Sequence, residues 1–160
     1  MKEVKVDSVF YVYDSVNDLP QDVKQLMDVA KDARAKAHAP YSKFSVGASI
    51  LLENREIVSG NNQENAAYPS GTCAERTAIF YAASKYPESK ILKMAITAGS
   101  QLKKNTKPIP PCGACRQAIA EYEVSQKQPI EIYFMGETGK VVKSDSLANL
   151  LPLLFDKSLL

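Results

Sequence analysis

The sequence predicts an α/β fold layered around one sheet. Two observations carry that expectation: short apolar or alternating runs that read as strands, and stretches between them with apolar residues at helical spacing. Size and composition agree. The chain has 160 residues, a length suited to one domain, and 45% of them are hydrophobic, enough for a core without covalent staples.

Each element follows in order. Residues 1–18 alternate weakly and fall outside the patterned region; Val-Lys-Val and Val-Phe-Tyr-Val-Tyr are short enough to be stray strands or an arm. We treat 1–18 as an extension with no assigned role and 19–160 as one domain. Pro20 suits a first helical position, and Val23, Leu26, Met27, Ala30 and Ala37 recur at helical spacing as far as Pro40. Residues 44–52, FSVGASILL, read as a buried strand; Asn54 turns the chain and Glu56 to Ser59 returns. A polar loop, GNNQENAAYPSG, follows. Thr72 to about Lys85 is a second helix, apolar at Ala74, Ala78, Ile79 and Ala82. ILKMAITA, residues 91–98, is a strand. The loop 100–111 carries Lys103, Lys104 and Lys107, which read as a solvated surface. A third helix starts near Cys112 and runs through Ala118, Ile119 and Tyr122. IEIYFM, residues 130–135, is a strand, followed by a turn at Gly136 to Gly139 and a short strand KVV. The tail LANLLPLLF is more apolar than one short segment can bury under a single subunit, and such a patch marks an interface.

Composition excludes several functions. One histidine rules out a three-histidine zinc site or a His-Glu-x-x-His protease within one chain. Three cysteines are an odd count, which argues against a disulfide scaffold. The net charge of +2 and the pI near 8.3 fall short of an obvious nucleic-acid domain. Asp7 and Asp14 bracket the VFYVY run, so neither a signal peptide nor a membrane span is expected. The expected compartment is cytoplasmic and reducing, where free thiols are ligands, catalysts or inert core residues.

The chemistry sits at two places. Cys73 lies in Thr-Cys-Ala-Glu, and Cys112 and Cys115 lie in Pro-Pro-Cys-Gly-Ala-Cys. Both are where a loop enters a predicted helix. Helix N-termini carry partial positive charge and free N–H groups, which favour thiolate over thiol. Cys112 and Cys115, three apart, face the same way in a first turn. A metal off two converging helices could collect all three sulfurs. Three thiolates on one zinc sum to about −1, so nearby positive charge is needed, and Arg76 is the obvious source. Three protein ligands leave a fourth position open for water, the catalytic arrangement. Glu75 is two residues past a ligand and points off its flank on an ideal helix. This combination matches the zinc deaminase signature, in which the glutamate carries protons and does not bind metal.

Rival readings stand beside this one. Cys-Gly-Ala-Cys near a helix start has the form of a thioredoxin-type redox site, but Pro111 stands where an aromatic residue is usual, and redox chemistry leaves the third cysteine unexplained. His38 could complete a closed structural site of three cysteines and one histidine, though it reads better as a surface histidine. Thr72-x-x-Glu75 has the form of a capping box, which alone explains a glutamate there. Asn62 and Glu64 suit an ordinary turn, and Phe44 and Phe155 are by default core aromatics.

Four segments closely resemble the cytidine deaminase family: HAPYSKFSVGASIL, GNNQENAAYPSGTCAERTAI, PPCGACRQ and LLPLLF. The resemblance covers about Leu19 to Phe155. It implies the small three-cysteine form, a homotetramer with a three-layer α-β-α sandwich around one mixed sheet. It implies one Zn2+ per subunit on Cys73, Cys112 and Cys115, with Glu75 as the proton shuttle. It implies that Asn62 and Glu64 hydrogen-bond the ribose hydroxyls and that Phe44 packs against the pyrimidine. The N–H of Ala74 would meet the base carbonyl, Arg76 would hydrogen-bond the ligand sulfurs, and Tyr68 and Phe155 would reach a neighbouring subunit's site. Gln63 departs from the family pattern, which has an apolar residue there. The implied activity is hydrolytic deamination of cytidine and deoxycytidine to uridine and deoxyuridine plus ammonia, a pyrimidine salvage step. Alternatives of the same chemistry are an aminonucleoside antibiotic or single-stranded nucleic acid as substrate. A non-catalytic zinc-stabilised nucleoside-binding protein is the non-enzyme alternative, and an intact Glu75 argues against it.

Overall fold

The computed structural model describes residues 1–160. Its strands are β1 (Tyr11–Tyr13), β2 (Phe44–Leu52), β3 (Ile57–Asn61), β4 (Ile91–Ser100), β5 (Glu131–Met135) and β6 (Val141–Ser144). Its helices are α1 (Gln21–Ala35), α2 (Ala74–Lys85) and α3 (Gly113–Gln126). The six strands form one sheet in the order β1-β6-β5-β4-β2-β3. β4 and β5 run parallel and the other neighbours antiparallel, so the sheet is mixed and α3 is the crossover between the parallel pair.

Alternation along the strands sorts the core into two faces. Leu26, Met27 and Ala30 of α1 pack on Leu51, Ala95, Tyr133 and Met135. Ala78 and Ile79 of α2 and Ile119 of α3 pack on Ile50, Met94, Ile96 and Ile132. The result is the expected α-β-α sandwich. α1 lies very close to β2: a Cβ at Gly47 would sit 2.0 Å from the Ala30 carbonyl oxygen. Ser49 Oγ, on the same face, donates to the Leu26 carbonyl at 2.6 Å.

Several boundaries shift from the sequence expectation. α1 ends at Ala35, short of Pro40, and Pro20 is its N-cap. The chain beyond is drawn off by a bridge to the polar loop. There the His38 N–H donates to the Asn62 carbonyl at 3.0 Å, and the Glu64 N–H to the His38 carbonyl at 2.8 Å. β3 starts at Ile57 and continues to Asn61 beside β2, and β4 extends to Ser100. Within 1–18, β1 pairs antiparallel with β6, setting Val12 opposite Val142. Tyr13 packs against the α1-side core. In the tail, Leu147 and Leu150 are buried, whereas Leu153 and Phe155 are 94% and 57% exposed. No helix is long and apolar enough to cross a membrane.

Candidate metal centre and adjoining cavity

Cys73 is the N-cap of α2 and Cys112 the N-cap of α3. Both have extended backbones and make no side-chain cap bond, so their sulfurs are free to point off the helix ends. Cys115 lies buried in the first turn of α3. The three Sγ atoms lie within 4.8 Å of one another, and those of Cys112 and Cys115 are 3.4 Å apart. All three cysteines are free thiols. His38 is exposed and outside this cluster, so a closed three-cysteine, one-histidine site is not formed.

Sulfurs this close cannot all ionise without a cation. A hydrogen bond from Cys115 pulls the Cys73 thiol down to about 5, against burial and with help from Arg76. Cys115 moves the other way, because it holds the proton that Cys73 accepts and because it is buried. The Arg76 guanidinium is partly desolvated, yet its hydrogen bond and attraction to Cys73 hold it firmly protonated. Its Nε is buried without a hydrogen-bond partner of ordinary geometry, an orphan donor facing a cluster built for negative charge. Three converging thiols, a compensating cation and no fourth protein ligand fit tetrahedral zinc with one open position.

Glu75 is 5% exposed. Burial pushes its carboxyl up, and the negative charge on Cys73 pushes it further. The capping box is not formed, because the N-cap is Cys73 rather than Thr72 and no side chain caps the helix. Glu75 instead walls a cavity of about 430 Å³, together with Phe44, Asn62, Glu64, Cys73 and Cys112. A carboxyl held neutral more easily than usual, beside a metal site and facing a cavity, suits proton transfer near neutral pH.

The other predicted residues divide. Asn62 ties itself to β2: its Nδ2 donates to the Phe44 carbonyl at 2.9 Å and its Oδ1 accepts from the Val46 N–H at 2.7 Å. The Glu64 carboxylate accepts from the hydroxyl and N–H of Ser42 and from the Tyr41 N–H. These bonds, the Ser42 hydroxyl foremost, hold it below the usual carboxylate range. Ala74 is fully buried as the first residue of α2. Tyr68 lies in an adjoining cavity of about 500 Å³ that also touches Cys73 and Arg76. Its ring meets Tyr41 edge-on at 6.1 Å. Phe155 borders neither cavity in its own chain; its carbonyl accepts from Gln117 Nε2 at 2.9 Å. Lys103, Lys104 and Lys107 are exposed, as expected.

Sequence reasoning missed Ser42, Val46, Ile96, Ala98, Ile109 and Pro110, which complete the cavity wall. It also missed the clamp on the loop between β4 and α3. There Glu137 Oε2 accepts from the Asn105 N–H at 2.7 Å, and Asn105 Oδ1 accepts from the Ser100 N–H at 2.9 Å. No local pattern marks these residues, since their roles depend on partners distant in sequence.

Comparison with known proteins agrees with this geometry. Residues 20–128 match the family model described as the cytidine and deoxycytidylate deaminase zinc-binding region. A cytidine deaminase of Sporosarcina psychrophila is 41% identical over 136 residues, covering 85% of this chain and 93% of that protein. One of Halalkalibacterium halodurans is 44% identical over 100 residues, covering 62% of this chain and 71% of that protein. The crystal structure of cytidine deaminase from Burkholderia pseudomallei superimposes with a TM-score of 0.71 at 35% identity. The match covers 86% of this chain and all of that one. With two thirds of its length inside the family region, this chain belongs to the cytidine and deoxycytidylate deaminase family.

Proposed function

We propose that this chain is a zinc-dependent hydrolase that converts cytidine and deoxycytidine to uridine and deoxyuridine with release of ammonia, in pyrimidine salvage. The observation that carries the reading is the placement of Glu75, buried beside three convergent cysteines and open to a nucleoside-sized cavity. Cys73, Cys112 and Cys115 would hold zinc, which would supply Lewis acidity and lower the pKa of a bound water.

The chain's own residues do the rest. Phe44 packs on the pyrimidine face. Ala74, first in α2, has an N–H without an intrahelical acceptor and offers it to the base carbonyl. Asn62 and Glu64 accept and orient the ribose hydroxyls from the cavity rim. Glu75 takes a proton from the attacking water as the oxygen bonds to ring carbon 4, and delivers it to ring nitrogen 3. It then carries the second proton from the new hydroxyl to the amino nitrogen. The bond from carbon 4 to that nitrogen breaks, the carbonyl forms, and ammonia leaves. One carboxyl thus serves as base and then as acid. Arg76 offsets the negative charge of the sulfurs.

Residues 19–160 form the deaminase domain, and 1–18 extend it. The active unit is a homotetramer in which Tyr68 and Phe155 complete a neighbour's cavity. The exposure of Tyr68 at 76%, with that of Leu153 and Phe155, supports this assignment. Its place is the cytoplasm, where the thiols stay reduced for metal. The test is a spectrophotometric assay of the zinc-loaded protein on cytidine, deoxycytidine and cytosine, with and without chelator. Turnover of both nucleosides that chelation abolishes is expected; a zinc-loaded protein inert on both overturns the reading.

A further inference from the structure

Arg116 joins the loop that leads into Cys112 to the C-terminal segment that leads to Phe155. Its Nε donates to the Pro111 carbonyl at 2.8 Å, and Pro111 immediately precedes Cys112. Its Nη1 donates to the Leu150 carbonyl at 2.8 Å, where the exposed tail towards Phe155 begins. Both acceptors are neutral carbonyls, and no carboxylate lies within ion-pair distance of this guanidinium.

The N-terminal arm lies beside these bonds and reaches the same tail. β1 alternates across the sheet edge, so Tyr13 faces α1 while Val12, opposite Val142, faces the α3 side. There Phe10 and Val12, both exposed, line one wall of an open cavity of about 420 Å³ whose other walls include Arg116, Phe134, Val142 and Leu150. The Val9 N–H reaches Asn149 Oδ1 at 3.4 Å, tying the arm directly to the tail. The arm's residues Val9, Phe10 and Val12 lie before residue 20, outside the family region.

We propose that residues 9–13 are a brace on the C-terminal segment, through their pairing with β6 and the contact to Asn149, and that Arg116 is a positioning residue holding the cysteine loop at Pro111 and the C-terminal segment at Leu150 in one register. The inference rests on the deaminase reading for its kinetic consequence, since the tail carries Phe155 to a neighbour's cavity. Its structural part stands on the contacts alone.

The test uses the full chain with Phe10→Ser and Val12→Ser combined, and separately Arg116→Gln and Arg116→Lys. Amide hydrogen exchange, zinc per chain after dialysis against chelator, and kcat and KM for cytidine are measured. In the arm variant, exchange at 147–155 should rise about tenfold while β2 and β4 keep their protection. KM should rise by roughly 3–10-fold with kcat changed less than about twofold. Arg116→Gln should raise exchange in both segments and lose zinc faster, and Arg116→Lys, able to reach one carbonyl, should fall between. Unchanged exchange in the arm variant overturns the brace. So does a uniform rise across the molecule, which means plain destabilisation. A local rise with wild-type KM and zinc retention overturns the positioning role. A wild-type protein inert on cytidine defeats the deaminase reading instead, and exchange together with zinc retention then decides the brace.

Discussion

Lys143 Nζ lies 2.8 Å from Glu131 Oε1, bridging the two strands that carry them. Asp145 holds the same ammonium at 2.7 Å, and Lys93 approaches Glu131 from the other side at 3.6 Å. Burial alone would raise the Glu131 carboxyl, but hydrogen bonds from Lys143 and Tyr133 and the two lysine charges outweigh it, and the net shift is downward.

A carboxyl depressed in the folded state stabilises the fold above its unfolded pKa, and that contribution disappears as pH falls through the folded value. Glu131→Gln should therefore cost on the order of 1 kcal/mol at pH 7, as a partly exposed network allows. The gap from wild type should close below about pH 4. Urea midpoints of both proteins across pH 3–8 check this; a gap that persists at the acid end contradicts it.

Gly47 meets α1 through its backbone, so Gly47→Ala forces the helix from the sheet. A loss of roughly 1–3 kcal/mol or more is expected from overpacking. Denaturant unfolding measures it, and a neutral variant would mean that α1 can slide.

Glu75→Gln should keep zinc, because the carboxyl is not a ligand, and lose about 10²–10⁴-fold or more in turnover, because it moves more than one proton. Elemental analysis and single-turnover kinetics read both. Activity within tenfold of wild type would reduce Glu75 to a buried wall residue.

Phe155→Ala chains co-refolded with Glu75→Gln chains should recover activity above either parent if Phe155 acts across subunits. Native mass spectrometry must show hetero-oligomers in the mixture. Their presence without recovery would return Phe155 to its own chain. The lost aromatic contact alone is worth roughly 0.5–1.5 kcal/mol beyond area burial and should appear in KM.

Much of this molecule is legible along the chain because its signals are local. β2 spans the run of nine residues whose apolarity marks it, and Cys112 with Cys115 share a turn by spacing alone. That Cys73 could join them follows from its own place at a helix start, and the three Sγ atoms lie within 4.8 Å of one another. What stays hidden depends on remote partners. Thr72 and Glu75 spell a capping box, but the loop reaches α2 with Cys73 as N-cap. Thr72 is instead paired with Gln63 in the bridge that gathers the polar loop. The last three residues of the VFYVY run form a strand because β6 leaves an edge for them, and nothing within the first residues announces that edge.

That pairing has a consequence for how the protein is made. Tyr11 emerges from the ribosome early, and its partner Lys143 more than a hundred residues later. At roughly 5–20 residues per second, synthesis separates the two by several seconds or more. Throughout that interval Val9, Phe10 and Val12 travel as an unpaired apolar ribbon beside a half-built sheet. The sheet's last edge therefore closes only after β6 has emerged, and until then the nascent arm is an exposed apolar segment of the kind chaperones hold.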